Sequence, residues 1–407
     1  MGSPQFESLS IGERLEMRRR RRGLSRRVLA NLVGRSEEWL RLVESGRSQL
    51  DSIEVVSRLA QVLQVDNPAE LIDWPVTNSR ESAPEPPLLR ALYEVVIDHP
   101  ALGIYASGDS LPDQDPAELS AAMDACRTVW TSSRHRYSRL AAELPPVLRM
   151  CRAVRWRRQD RPSAELLVSG YHLARLILAG TGSHSMAATV ADRAIGTAAQ
   201  LREPVLIAAG AWHVSQSLLN LSIPDASRDY ALAAAARLER KGTDSDECRR
   251  LCAALRLVAT RAAAYERAGR DSVHMLAELH STAQELGRDS EVLMIPFGPV
   301  EVAIAAMEIA AQRNDTGEIL RLADHLDIPD DHPSPRRVKY YIYQASAYAA
   351  QRDHAAVVLA LSRAAEVSPE DLRYDPDAHR CIQHVLRRGN VIARREVRRL
   401  AALAGLG

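Results

Sequence analysis

Residues 20–47 read RRRGLSRRVLANLVGRSEEWLRLVESGR, and the placing of their glycines and serines decides the first part of the fold. Gly23 ends one helical segment, and Ser25 is placed to cap the next. That second segment, Arg26 to Val33, is predicted to bury Val28, Leu29 and Leu32, and Gly34 breaks it. Ser36 caps a third helix, Glu37 to Glu44, with Leu40 and Val43 facing inward, and Ser45-Gly46 ends it. Outward from this stretch, Ile11 to Arg22 forms a helix with Ile11, Leu15 and Arg18 on one face. On the other side, Ser52 to Leu63 forms a fourth, with Ile53, Val56, Leu59, Ala60 and Leu63 apolar.

The same stretch concentrates charge. Arg14 to Arg47 holds eleven arginines against four glutamates, in a chain whose net charge is only +1. A local basic excess of this kind is the footprint of a phosphate-binding surface. Two helices joined by a glycine turn, the second with a polar face, have helix-turn-helix geometry. The carrying residues are Arg20 to Ser25, Leu29 to Gly34, Leu40, Val43 to Arg47 and Leu59-Ala60. On these, the segment of about residues 10–72 resembles the lambda-repressor/Cro-type (XRE) helix-turn-helix family. The resemblance implies that the start of the third helix faces base edges, which nominates Glu37, Glu38, Arg41 and Leu42. Arg41 would pair with guanine, Leu42 would touch a thymine methyl, and a glutamate would accept from cytosine N4. It implies phosphate contacts by Arg26, Arg35, Ser36 and Arg47. One departure is Arg26, where the family usually has glutamine; arginine still suits a phosphate. Glu37 and Glu38 have a second reading, as acids that the helix dipole favours in a first turn. Trp39 reads as packing.

Residues 73–87 hold four prolines and no apolar periodicity, which predicts a linker between a head, 8–72, and a body, 88–407. Leu88 to Asp98 is a short amphipathic helix. From Ala117 helix follows helix, with breaks at Pro145-Pro146, Asp160–Ser163, Gly180–Ser185, Glu203-Pro204, Ser222–Pro224 and onward to Ser368-Pro369. This rhythm predicts helical hairpins over 163–202, 203–240, 246–287, 290–327 and 338–371, with a capping hairpin from Asp375 to Leu403. Tyr341, Ala345, Tyr348, Val357, Leu361, Ala364 and Pro369 resemble a tetratricopeptide (TPR) repeat. The expected fold is therefore all-α, a helix-turn-helix head followed by a TPR-like α-solenoid. Such a stack curves around a concave groove. Arg175, Gln216, Asn220 and Arg256 are the candidate ligand or partner contacts there, in a set with Tyr171, His172, Trp212, Arg261, Tyr341 and Gln344. Trp212 and Tyr341 also occupy places where such repeats pack an aromatic in the core.

Five cysteines at 126, 151, 248, 252 and 381 lack paired spacing, which predicts buried, reduced thiols in a cytoplasmic protein. No metal-ligand spacing, phosphate loop or nucleophile motif is present, so no metal, cofactor or catalytic residue is expected. His379, Cys381 and His384 do not share one helical face. The sequence has no apolar run long enough for a membrane span, and neither a span nor a signal peptide is expected. The layout resembles helix-turn-helix regulators with TPR-like sensor domains, actinobacterial in composition. That implies a homodimer on a double-stranded DNA operator, answering a peptide or small-molecule effector. The alternative is an adaptor that sequesters another regulator through its groove.

Overall fold

Among the described residues, four short helices make the first unit: α1 (Ile11–Arg21), α2 (Arg26–Leu32), α3 (Glu37–Glu44) and α4 (Ile53–Leu63). The computed structural model describes residues 11–45, 53–63, 87–98, 115–240, 245–265 and 270–406. The chain divides into two compact units, Met1–Pro84 and Glu85–Gly407. The expected linker at 73–86 lies outside the described residues, as do Arg47 and the side chains of Ile11, Ile53 and Val56.

Ser25 Oγ accepts from the Val28 amide and Ser36 Oγ from the Trp39 amide, so both caps form. Gly34 sits at φ +70°, a left-handed turn that a side chain would strain. Leu15, Leu29, Leu40, Leu59 and Leu63 form the core. The inward face of α2 differs from the expected one. Val28 and Leu32 are 42% and 54% exposed, while Leu29, Ala30 and Val33 are buried. At about 100° per residue, Leu29, Ala30 and Val33 share one face, and Val28 and Leu32 fall on its flank. On α1 the buried partner of Leu15 is Arg19, one turn on, and not Arg18. α1 lies so close to the end of α3 that a Cβ on Gly12 would stand 2.2 Å from the Glu44 carbonyl oxygen.

The second unit begins with a 3-10 turn, Pro87–Leu89, and α5 (Arg90–Ile97). Arg152 donates to the Val95 and Asp98 carbonyls and Arg193 to that of Val96, which fastens the end of α5 to the body. The hairpins follow: α6 (Pro116–Ser132) with α7 (Arg136–Arg158), α8 (Arg161–Gly180) with α9 (His184–Leu201), α10 (Pro204–Asn220) with α11 (Pro224–Glu239), and α12 (Asp246–Ala264) with α13 (Arg270–Leu286). After a β-hairpin come α14 (Pro299–Gln312) with α15 (Thr316–His325), α16 (Ser334–Ala350) with α17 (His354–Val367), the short α18 (Pro369–Tyr374), and α19 (Pro376–Arg388) with α20 (Val391–Leu403). The breaks are chemically marked. Asp160, Asp315 and Asp353 each accept from the amide three residues on, and Pro204, Pro224 and Pro299 open helices, where a missing N–H costs nothing.

The first helices of successive hairpins, α6, α8, α10, α12, α14 and α16, lie side by side in a row, and α19 continues it. The row curls until α16 touches α6. A solenoid that meets itself encloses its axis.

Two expectations for the body are corrected. Pro145-Pro146 does not break the chain, because α7 runs through both prolines. Leu140, Leu144, Leu148 and Cys151 make one fully buried stripe along it. Their burial offsets the roughly 3 kcal/mol that an interior proline costs. The segment 290–327 does not begin as a helix but as the hairpin β1 (Ser290–Val292) and β2 (Ile295–Phe297), antiparallel with Val292 opposite Ile295. Its two-residue turn, Leu293-Met294, has φ of 52° and 66°. That geometry normally calls for Asn-Gly.

Candidate functional site

Two surfaces carry chemistry, one in each unit. In the first, α3 begins at its Ser36 cap with Glu37, Glu38 and Arg41 exposed and Leu42 half-buried. Arg41 holds Glu38 through two hydrogen bonds, Nε to Oε2 at 2.8 Å and Nη2 to Oε1 at 2.6 Å. This pair keeps the Glu38 carboxyl below its ordinary range. Both partners are exposed to water, so they exchange readily. Arg35 lies over the Trp39 ring, 5.8 Å from its centroid.

Arg26 is placed differently from a free phosphate arm. Its Nε donates to Glu44 Oε2 at 2.6 Å, and Glu44 takes Arg19 Nε on Oε1, also at 2.6 Å. The Glu44 carboxylate is buried between the two arginines. This triad ties α1, α2 and α3 together at the root of the turn. Sequence reasoning missed it because Arg19 is one of five consecutive arginines, of which only the one a turn beyond Leu15 turns inward.

In the second unit the row of first helices surrounds an axial cavity of about 360 Å³. Arg175 on α8, Gln216 and Asn220 on α10, and Arg261 on α12 line it, with Trp212 at their side. Arg256 does not. It pairs with Glu239 at 2.6 Å on the outer side of the stack. Five residues along α12 turn the helix by about 140° from the face that Arg261 uses. Tyr171 and His172 are buried behind the cavity wall, and Tyr341 packs among apolar residues beside Tyr340. The β-hairpin, unseen in the sequence, carries Glu291 and Met294 to the cavity.

Most charges around the cavity are matched. Arg261 pairs with Glu308 at 2.7 Å and Arg336 with Glu301 at 2.8 Å. Lys339 pairs with Asp375, and Arg136 with Asp371. Burial works against the ionised form of Glu308, and Arg261, Arg336 and Lys339 more than offset it. Arg136 is wholly buried, its guanidinium stacked near Trp130 and Tyr137 at 5.5 and 5.4 Å. Burial opposes its charge and Asp371 outweighs that. The Tyr137 amide donates to Glu370 and Ser368 Oγ donates to the Arg134 carbonyl. These bonds close the row.

Arg175 stands apart. It is 4% exposed and lies over the Trp212 ring at 5.8 Å. Its Nε donates to Ser217 Oγ at 3.3 Å, and its Nη2 has no hydrogen-bond partner. Among the described residues no carboxylate comes within ion-pair distance of it. Burial, and then the charge of Arg261, push its pKa down to about 9. Behind it His172 and His213 stack with centroids 3.9 Å apart. Burial and the neighbouring Arg175 push His172 down to about 3, and His213 also falls well below its ordinary value.

All five cysteines are free and buried, and burial raises four of their pKa values, Cys151 to about 12. No cluster of three metal-ligating side chains occurs among the described residues, and none of their helices is long and apolar enough to cross a membrane.

Comparison with known proteins adds to the first unit. Residues 10–73 match the helix-turn-helix domain family. A cyanate hydratase of Pseudomonas putida is 41% identical over 78 residues, 19% of this chain and 53% of that enzyme, so the chain spans about half the length of this relative. Among solved structures, Bacillus thuringiensis PlcR in complex with the peptide PapR7 and DNA aligns over 77% of this chain and 94% of its own, with 11% identity and a TM-score of 0.37. The apo form of the competence regulator ComR from Streptococcus vestibularis aligns over 98% of both chains, with 13% identity and a TM-score of 0.26. At such scores the body's architecture rests on its own contacts.

Proposed function

We propose that this chain, whose residues 10–73 form a helix-turn-helix domain, is a DNA-binding transcriptional regulator whose helical body dimerises and answers an effector. The observation that carries the reading is α3 itself, capped by Ser36 and offering Glu37, Glu38 and Arg41 to solvent behind a glycine turn. In this reading Arg41 leaves Glu38 for a guanine, which an exposed pair permits. Leu42 meets a thymine methyl, and Arg35, Ser36 and Arg47 meet phosphates. Arg26 serves the backbone from its place on Glu44, presenting the part of its guanidinium that the triad leaves outward. A dimer would read two half-sites about one DNA turn apart. The protein would work in the cytoplasm, and its body would act as a sensor and not as an enzyme. The four acids Glu301, Glu308, Asp371 and Asp375 are engaged by cations, which suits a sensor.

The test is binding of the purified chain to the DNA upstream of its own gene, against scrambled DNA, over a range of salt. Specific binding that falls steeply with salt, and drops at least about tenfold in Arg41→Ala, is the expected result. Equal, weak binding to both DNAs at every salt concentration would overturn the reading and favour the adaptor.

A further inference from the structure

The cavity in the helical body has an uneven electrostatic balance. Three of its lining cations, Arg261, Arg336 and Lys339, face a carboxylate, and Arg175 faces none. Glu291, on the β-hairpin, is the lining acid without an ion pair; its side chain reaches solvent, although the surrounding protein still raises its pKa, and Arg127 is the cation it feels most. Arg175 has no such relief. A buried guanidinium is ordinarily held by a paired acid, because desolvation without a counter-charge is costly. Here the fork has one weak hydroxyl acceptor, a tryptophan face below it, and an open Nη2.

The neighbours point the same way. Gln216 and Asn220 lie along α10 on the same wall, one turn apart, each with an amide able to donate or accept. Apolar surface comes from Leu176, Met294 and Trp212. Met294 reaches the cavity through a turn with two consecutive left-handed residues, neither of them glycine. Strain of that kind persists where the surroundings hold it and gathers at ligand sites. The volume, about 360 Å³, falls at the small end of the range for small-molecule pockets.

We propose that the axial cavity binds a small organic anion, an acid group on an apolar body, with Arg175 as its counter-ion and Trp212 as its stacking surface. The inference rests on the reading of the body as a sensor and names the chemistry of what it senses. The carboxylate would take the open edge of the guanidinium in a paired, charge-assisted contact. The amides of Gln216 and Asn220 would fix its orientation. The free end of a short peptide carries the same chemistry as a free organic acid.

The test uses two fluorescent probes that share one apolar body. These are 8-anilinonaphthalene-1-sulfonate, which bears an anion, and N-phenyl-1-naphthylamine, which does not. Both are titrated into the full chain and into Arg175→Met and Arg175→Lys. The sulfonate is expected to lose about tenfold in affinity in Arg175→Met and to regain part of it in Arg175→Lys, while the neutral probe changes less than about twofold. Displacement of the sulfonate by 3-phenylpropionate marks a free acid as the better guest; displacement by a pentapeptide with a free carboxyl end, and not by its amide, marks a peptide terminus. Equal sulfonate affinity in all three proteins, or a matching loss of the neutral probe, would overturn the proposal. Operator binding is measured on the same preparations. Its failure with the anion effect intact would remove the regulator reading alone, and the converse would remove the anion site alone.

Discussion

The seam around Arg136 and the wall around Arg175 are built from the same parts to opposite ends. In each a buried arginine lies over a tryptophan, at 5.5 Å from Trp130 and 5.8 Å from Trp212. In each a second ring meets that tryptophan edge-on, Tyr137 in one and His213 in the other. Only the seam supplies a carboxylate, Asp371. A buried cation with its acid is a joint; the same cation without one is an open valence. The difference teaches that a stacked arginine in a core says little until its counter-charge is found.

The contrast can be broken by substitution. Arg136→Met should strand Asp371 in the interior and lower the stability of the body by about 3–5 kcal/mol, read as a fall in the urea midpoint. No change there would mean that the seam is not a joint. The histidines behind Arg175 give the next largest effect. Unfolded histidines titrate near 6.5, and His172 and His213 stay neutral well below that in the fold. Below pH 6.5 the unfolded chain therefore takes up protons that the folded chain refuses, and stability falls with pH by about 1.4 kcal/mol per unit for each histidine. Above that pH the two contribute no slope. Urea unfolding at pH 7.5 and 5.5 checks this, and His213→Gln should remove about half of the difference. The smallest effect sharpens the comparison most. Arg175→Met should leave stability unchanged or raise it by about 1 kcal/mol, because it removes a buried charge that has no partner to strand. A loss as large as that of Arg136→Met would show that a partner exists after all.

The elements that chemistry marks locally were legible. Serine caps, glycine turns and helix-opening prolines placed α1 to α4 and most hairpins of the body, since each acts within one turn of chain. Arg175, Gln216, Asn220 and Arg261 came from the same helix-by-helix reading and meet around one cavity. What failed depended on neighbours distant in sequence. The face of α2 was set by what Leu29 and Val33 pack on, not by which residues are apolar. Pro145 and Pro146 were absorbed because a buried leucine stripe holds α7 helical through them. The β-hairpin turns on Leu293-Met294, which carries no turn signature. Arg256 and Arg261 lie on the same helix, and it is their angle about α12 that separates them, which rhythm alone does not resolve.

The closed row has a consequence for how the body comes apart. An open stack of repeats is held by neighbours alone, so its stability is a sum along a line and it can fray from either end. Here Arg136 and Asp371, 235 residues apart in the chain, join the line into a loop. A loop has no free end to fray from at that joint, and removing α17 and α18 would strip cover from Trp130 and Tyr137 at the opposite end of the row. The body should therefore melt as one cooperative unit, and its shortest foldable fragment should be nearly its whole length.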